Sequence, residues 1–166
     1  MLSAESATGK YPVEAVKTMK DIILSVEDNP EYQSYYKINW EEMAKEHFSH
    51  NALVSSAASL AFRIHAKALV VPTATGRAVR LLSSFRPSAQ IVAVAHDVKT
   101  MNQLALVWGV RSVLEQPTGN FDQFLRKSID EVVKNKFAKP GDKIVIITGS
   151  TVGLSGSTDT IKVVTV

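Results

Sequence analysis

Five short apolar runs set what this chain can fold into: Ala68 to Pro72, Ile91 to Ala95, Ser112 to Leu114, Ile144 to Thr148 and Thr160 to Val166. Between the first four stand helical patterns, at about Arg77 to Ser84, Val98 to Trp108 and Asp122 to Phe137. Short apolar runs bounded by turn residues suit strands covered on both faces, and their alternation with helices argues for parallel βαβ units. The last run follows a loop too short to hold a crossover helix, so it should pair antiparallel with its neighbour. Ahead of the first strand, Asn51 is placed to cap a helix on which Leu53, Ala57, Leu60 and Ile64 share a face. Ser55, Ser56, Ala58, Ser59 and Ala61 keep that helix slim enough for close packing. Gly109 stands where a helix-ending glycine belongs, and Pro140-Gly141-Asp142 turns the chain into a buried strand. The pattern predicts a three-layer α/β/α domain with a mostly parallel five-stranded sheet and an antiparallel last strand.

The beginning of the chain has a different character. Pro12 suits the first turn of a helix, where its missing amide hydrogen is no loss, and Val13, Val16, Met19, Ile23 and Val26 follow at spacings of three and four. An amphipathic helix over Pro12 to Glu27 results, closed by the polar breaker Asp28-Asn29-Pro30. The small and hydroxyl-bearing residues before it, ending in Gly9, suit a strand-to-helix connection, so a strand is expected ahead of Met1. Residues 35–51 read as a connector with a helical turn or two around Trp40 to Lys45.

Composition narrows the function. Of 166 residues 45% are hydrophobic and 21% charged, the balance of a globular domain able to bury a core. The net charge of +3 is not gathered into a basic run with interleaved aromatics, so nucleic-acid binding has no support. No apolar stretch approaches the ~18 residues of a membrane span and no secretion signal opens the chain. With zero cysteines there are no disulfides or thiolate metal sites, which fits a reducing cytoplasm.

Two loops carry the chemistry. Thr73-Ala74-Thr75-Gly76-Arg77 lies directly after a strand and before a helix, at the sheet edge where ligands of open α/β folds collect. Its hydroxyls, a glycine that lets the backbone approach, free amides of a helix start and an arginine are what a phosphate oxygen needs. A plainer reading fits too: Thr73 or Thr75 caps the helix and Arg77 is solvated. The second loop, Gly149 to Thr158, is rich in glycine and hydroxyls, and Ser155, Gly156, Ser157 and Thr158 are its candidates for closing over the same crevice. No catalytic or metal residue is assigned. His47 and His50 form a His-x-x-His pair without a third ligand at a matching spacing, and neither Gly-x-x-x-x-Gly-Lys-Ser/Thr nor Gly-x-Gly-x-x-Gly is present.

Met1-Leu2-Ser3-Ala4-Glu5-Ser6-Ala7-Thr8-Gly9-Lys10-Tyr11-Pro12-Val13-Glu14-Ala15-Val16 closely resembles the last barrel loop and helix of pyruvate kinases, with Ala4 in place of the commoner glycine. The resemblance continues through Val70 to Arg77, Phe85-Arg86-Pro87, Ile91 to Val94, Gly141 to Ile146 and Gly156 to Thr160, in the family's order. It implies residues 1–29 as the remnant of a catalytic (β/α)8 barrel, 30–50 as a connector, and 51–166 as the C-terminal α/β regulatory domain. It implies further a cytoplasmic enzyme that transfers phosphoryl from phosphoenolpyruvate to ADP, with Mg2+ and K+ held by barrel strands rather than by this chain. The partners it implies are the catalytic barrel, a phosphorylated allosteric effector, and a second copy joined two-fold through the last strand, with a tetramer for the full enzyme. In effector-regulated members the loop matching Thr73, Thr75, Gly76 and Arg77 holds a phosphate and the loop matching Ser155 to Thr158 folds over it. This chain departs from the fructose-bisphosphate pattern: Ala74 and Ala78 replace a lysine and a serine, and Phe121, Gln123 and Phe124 stand where a tryptophan and an arginine grip the second phosphate. A sugar or nucleotide monophosphate is the expected effector. The alternative is a free-standing α/β domain that binds a phosphometabolite without catalysis.

Overall fold

The computed structural model describes residues 2–32, 49–116, 120–149 and 158–166, and the chain divides into two units, Met1–Ile38 and Asn39–Val166. In the first unit α1 (Ala4–Ala7) leads into α2 (Pro12–Glu27). Pro12 opens α2 as its spacing predicts. Where the sequence suggests only a loop, one helical turn forms: Thr8 and Gly9 both donate their amides to the Ala4 carbonyl at 2.8 Å. Gly9 is needed there, since a side chain would start 2.8 Å from the Glu5 carbonyl oxygen. α2 buries none of its residues, and Val13 (72% exposed), Val16, Ile23 and Val26 form the apolar stripe that the spacing predicts.

The second unit begins, among the described residues, with α3 (Ser49–Arg63), followed by β1 (Ala68–Thr73), α4 (Arg77–Ser84), β2 (Gln90–Ala95), α5 (Val98–Leu104), β3 (Val110–Leu114), α6 (Phe121–Lys134), β4 (Lys143–Gly149) and β5 (Thr158–Thr165). The sheet order is β3-β2-β1-β4-β5. The β1–β2, β2–β3 and β1–β4 pairs are parallel, and β4–β5 is antiparallel. The three-layer reading with an antiparallel last strand therefore stands. Two local expectations change. Asn51 does not cap α3, because the helix is already running at Ser49, and Asn51 is buried within it. α5 stops at Leu104 rather than Trp108: the amides of Ala105, Leu106 and Val107 bond the carbonyls three residues back, tightening the chain out of the α-helix, and Gly109 then turns it at φ 67°.

Two cores follow from strand alternation. One face of the sheet presents Leu69, Val71, Ile91, Ala93, Val145 and Ile147 to Val54, Ala57, Ala58 and Ala61 of α3, to Val79 and Leu82 of α4, and to Leu104 of α5. The opposite face presents Val70, Val92, Val94, Ile144 and Ile146 to Phe124, Leu125 and Val132 of α6. Each fully buried Leu or Ile here contributes about 1.5–3 kcal/mol of transfer free energy. The alanines of α3 let that helix sit close on the sheet.

Candidate anion-binding site

The connections define a switch point. From β1 the chain steps outward through β2 to β3, then returns through α6 to place β4 on the other side of β1. The loops leaving β1 and β4 thus diverge at adjacent strand ends, which is where ligands enter open α/β sheets. Thr73 to Arg77 is the first of these loops. The second runs from Gly149 to Thr158, which pair with each other at the end of the β4–β5 ladder, so both ends of that loop belong to the same edge. Ser155, Gly156 and Ser157 lie outside the described residues, as do the proposed turns around Trp40 to Lys45; Thr158 opens β5 and is half-buried.

The first loop is held by side chains from three elements. The Thr73 hydroxyl, buried under α4, accepts the Gly76 amide at 2.8 Å. Gly76 adopts φ 76° as the residue before α4; a side chain on it would begin 2.6 Å from Arg80 Nη1 and 2.9 Å from Leu104 Cδ2. Arg80 reaches back one turn and donates Nη1 to the Thr75 carbonyl at 2.9 Å. From α5, the Thr100 hydroxyl lies 3.0 Å from the Ala74 carbonyl and 2.8 Å from Asp97 Oδ2, with one proton to give. Asp97 also caps α5 through the Thr100 amide at 2.9 Å, and these bonds from Thr100 hold its carboxyl below the usual carboxylate range. The Thr75 carbonyl is thereby tied by Arg80, while the Ala74 carbonyl competes with Asp97 for the single Thr100 proton.

Of the sequence candidates, Thr73, Thr75, Gly76 and Arg77 thus occupy one turn at the switch point. Neither threonine caps α4 as the plainer reading expects: Gly76 is the N-cap residue and no side chain caps the helix, while Thr73 braces the turn through the Gly76 amide. Thr75 and Arg77 are exposed, and Arg77 makes no hydrogen bond or ion pair among the described residues. Ala78 is buried and brings no hydroxyl. On α6, Lys127 pairs with Glu115 at 3.6 Å, while Arg126 is exposed. Sequence reasoning missed Arg80 and Thr100. Arg80 was legible in principle: helical side chains lean toward the N-terminus, so a long cation at the fourth position of α4 reaches the loop before it.

Two histidines complete the edge. His96 follows β2 and donates its amide to the Thr73 carbonyl at 3.2 Å; its ring stands edge-on to Phe124 at 5.6 Å. His50 lies in the first turn of α3. In both rings Nε2 is buried without a hydrogen-bond partner among the described residues. Burial lowers both from the ordinary histidine value; the Arg77 charge lowers His50 further, whereas Asp97 partly opposes the effect at His96. Among the described residues no three His, Asp or Glu side chains converge as a metal site, and no helix is long and apolar enough to cross a membrane.

Fold and site together define a doubly wound α/β domain with a polar, cation-bearing loop at its switch point. The chain belongs to the pyruvate kinase family: the family's alpha/beta domain matches residues 51–164. It is similar over 98% of its length to pyruvate kinases of Geobacillus stearothermophilus (36% identical), Staphylococcus aureus strain USA300 (34%) and Sporosarcina psychrophila (32%). It spans only 27–28% of the length of these relatives.

Proposed function

We propose that this chain is the regulatory domain of a pyruvate kinase and binds a phosphorylated metabolite at the crevice between the ends of β1 and β4. The observation that carries the reading is the uncommitted Arg77 at the start of α4, beside the rigid Thr73–Gly76 turn at the switch point. A helix start and a guanidinium favour negative charge, and a charge-assisted bond in a partly wet crevice contributes about 1.5–3 kcal/mol. Thr75 and Arg77 grip the phosphate on this reading, and Ser155, Gly156, Ser157 and Thr158 close from the other loop. Arg77 as the one free cation at the loop among the described residues favours a monophosphate, of a sugar or a nucleotide, over a bisphosphate.

The complete enzyme would transfer phosphoryl from phosphoenolpyruvate to ADP in the cytoplasm, with Mg2+ and K+ held outside this chain. β5, an edge strand among the described residues, would join its two-fold mate in a dimer, two of which make the tetramer. Calorimetry at fixed salt with sugar and nucleotide monophosphates tests the crevice. Arg77→Ala should weaken the bound ligand by roughly tenfold or more, while Arg111→Ala, on the far edge strand β3, should change little. The reading fails if no phosphorylated metabolite binds below the millimolar range, or if a binder ignores both Arg77→Ala and Thr75→Ala.

A further inference from the structure

α5 supports the Thr73 to Arg77 loop from one side. Thr100, Gln103 and Leu104, at positions i, i+3 and i+4, share a face of that helix, and each meets a different part of the loop. The Thr100 hydroxyl lies 3.0 Å from the Ala74 carbonyl, Gln103 Oε1 accepts from Arg80 Nη2 at 3.5 Å, and Leu104 closes on Gly76. The helix is itself anchored, because the Ser112 hydroxyl of β3 donates to the Met101 carbonyl at 3.1 Å. Of these supports the one at Ala74 is incomplete. Thr73 fixes the Gly76 amide and Arg80 the Thr75 carbonyl, but buried Thr100 has a single proton for two acceptors. Asp97 Oδ2, at 2.8 Å, is the nearer of the two, and the bonds from the Thr100 amide and hydroxyl hold its carboxyl below the usual carboxylate range, so it is charged at neutral pH. A hydrogen bond to an ionised acceptor is roughly twice as strong as one to a neutral acceptor, so the proton goes to Asp97. The Ala74 carbonyl then meets the Thr100 oxygen with no hydrogen between them.

We propose that Thr100 is a positioning residue for the anion-binding turn and that the carboxylate of Asp97 opposes it by taking its proton. With a charged acceptor at position 97 the turn is held at Gly76 and Thr75 and left slack at Ala74. With a donor there instead, Thr100 Oγ1 accepts from position 97 and gives its own proton to the Ala74 carbonyl, so a relay runs from the start of α5 into the turn. The turn is then fixed at three successive residues before any anion arrives, which lowers the ordering cost of binding. The effect on binding rests on the crevice reading above, whereas the destination of the Thr100 proton does not.

Asp97→Asn makes the change at one atom: the side chain keeps an oxygen to cap α5 and presents an amino group where Oδ2 stands. In the full chain the carbonyl-carbon resonance of Ala74 should move downfield in Asp97→Asn, keep that shift when Thr100→Ser is added, and lose it when Thr100→Val is added. Should Thr100→Val not fold by circular dichroism, the Asp97→Asn shift decides alone. Sulfate, titrated calorimetrically at fixed salt and pH, is the binding probe. Removing a negative charge near the crevice strengthens anion binding in any background, so the difference between backgrounds is what counts. Asp97→Asn should tighten sulfate more in the Thr100 chain than in Thr100→Val, by at most about fivefold, the contribution of one neutral hydrogen bond. An Ala74 carbonyl that ignores Asp97→Asn, or one that responds as strongly in Thr100→Val, overturns the inference. An equal gain in sulfate affinity in both backgrounds overturns it too, and leaves the crevice in place. If sulfate does not bind, or binding ignores Arg77→Ala, the crevice reading itself falls and the positioning role with it, while the Ala74 resonance still reports where the Thr100 proton goes.

Discussion

Replacing Gly76 with alanine separates two costs that glycines usually combine. Gly76, Gly109 and Gly141 all hold positive φ, at 76°, 67° and 92°. Left-handed backbone costs an alanine about 1–2 kcal/mol at any of them. At Gly109 and Gly141 an added Cβ meets nothing within 4 Å, so that penalty should be nearly the whole effect. At Gly76 the Cβ would start 2.6 Å from Arg80 Nη1 and 2.9 Å from Leu104 Cδ2. Arg80 is exposed and can swing away, but it then gives up its bond to the Thr75 carbonyl, worth about 1 kcal/mol. Leu104 is fully buried in the core and has little room, so an off-rotamer side chain adds about 0.5–1.5 kcal/mol. The expectation is a loss of about 2.5–4.5 kcal/mol for Gly76→Ala against about 1–2 for Gly109→Ala, read from urea midpoints at constant slope. Equal losses at the two sites would refute the reasoning, because the loop would then not be wedged between Arg80 and Leu104.

The remaining expectations are briefer. The chain alone should not turn over phosphoenolpyruvate and ADP, since phosphoryl transfer needs metal and cation clamps that the crevice does not provide; turnover above a no-protein control after repurification would contradict this. Self-association should occur through β5, where Val163 is 46% exposed, and a sedimentation profile showing monomer at high micromolar concentration would exclude it. Val164→Pro looks from sequence like the probe of that contact, but the ladder says otherwise: Val166 exchanges bonds with Gly141 and Asp142, so Val164, at the same parity, also points its amide at β4. Val163→Pro is the substitution that removes an outward donor, and it should give monomer with an unchanged circular dichroism spectrum. Stability should fall in acid: His50 and His96 both lie below 6.5 in the folded chain, so as pH drops through 6.5 the unfolded chain takes up protons that the folded chain refuses. The decline should end below the folded values and be reduced in His96→Gln; thermal melts that are flat from neutrality to pH ~5 would contradict it.

Strand positions were readable because burial on both faces demands continuous apolar residues, and Ile91 to Ala95 or Ile144 to Thr148 admit few alternatives. Helix ends were less readable because tertiary bonds decide them. α5 has apolar spacing as far as Trp108, yet after Leu104 the amides bond three residues back, and Ser83, 25 residues away, anchors the segment that follows at the Trp108 carbonyl. α3 likewise starts earlier than its best capping residue suggests, since Asn51 is drawn into the interior instead. At the site, Thr73 and Gly76 were legible from composition and position. Thr100 was not, because its contact with the Ala74 carbonyl spans 26 residues and no spacing rule reaches that far.

The bonds that hold the loop also bear on which reading of it is physically stronger. If Thr73 were merely a cap and the turn an ordinary connector, its carbonyls would be free to face solvent. Instead Arg80 and Thr100, from two different helices, approach the Thr75 and Ala74 carbonyls. A turn whose carbonyls are engaged by the protein has less negative potential to offer an approaching anion, and its geometry is set before the anion arrives. Arg77, beside it, is engaged by nothing among the described residues. Removing Arg80 while keeping Arg77 takes away the bond to the Thr75 carbonyl together with a second positive charge beside the turn, so Arg80→Met should weaken anion binding with the Arg77 guanidinium left in place. If Arg80→Met leaves affinity unchanged, the turn needs no holding and Arg77 alone carries the attraction.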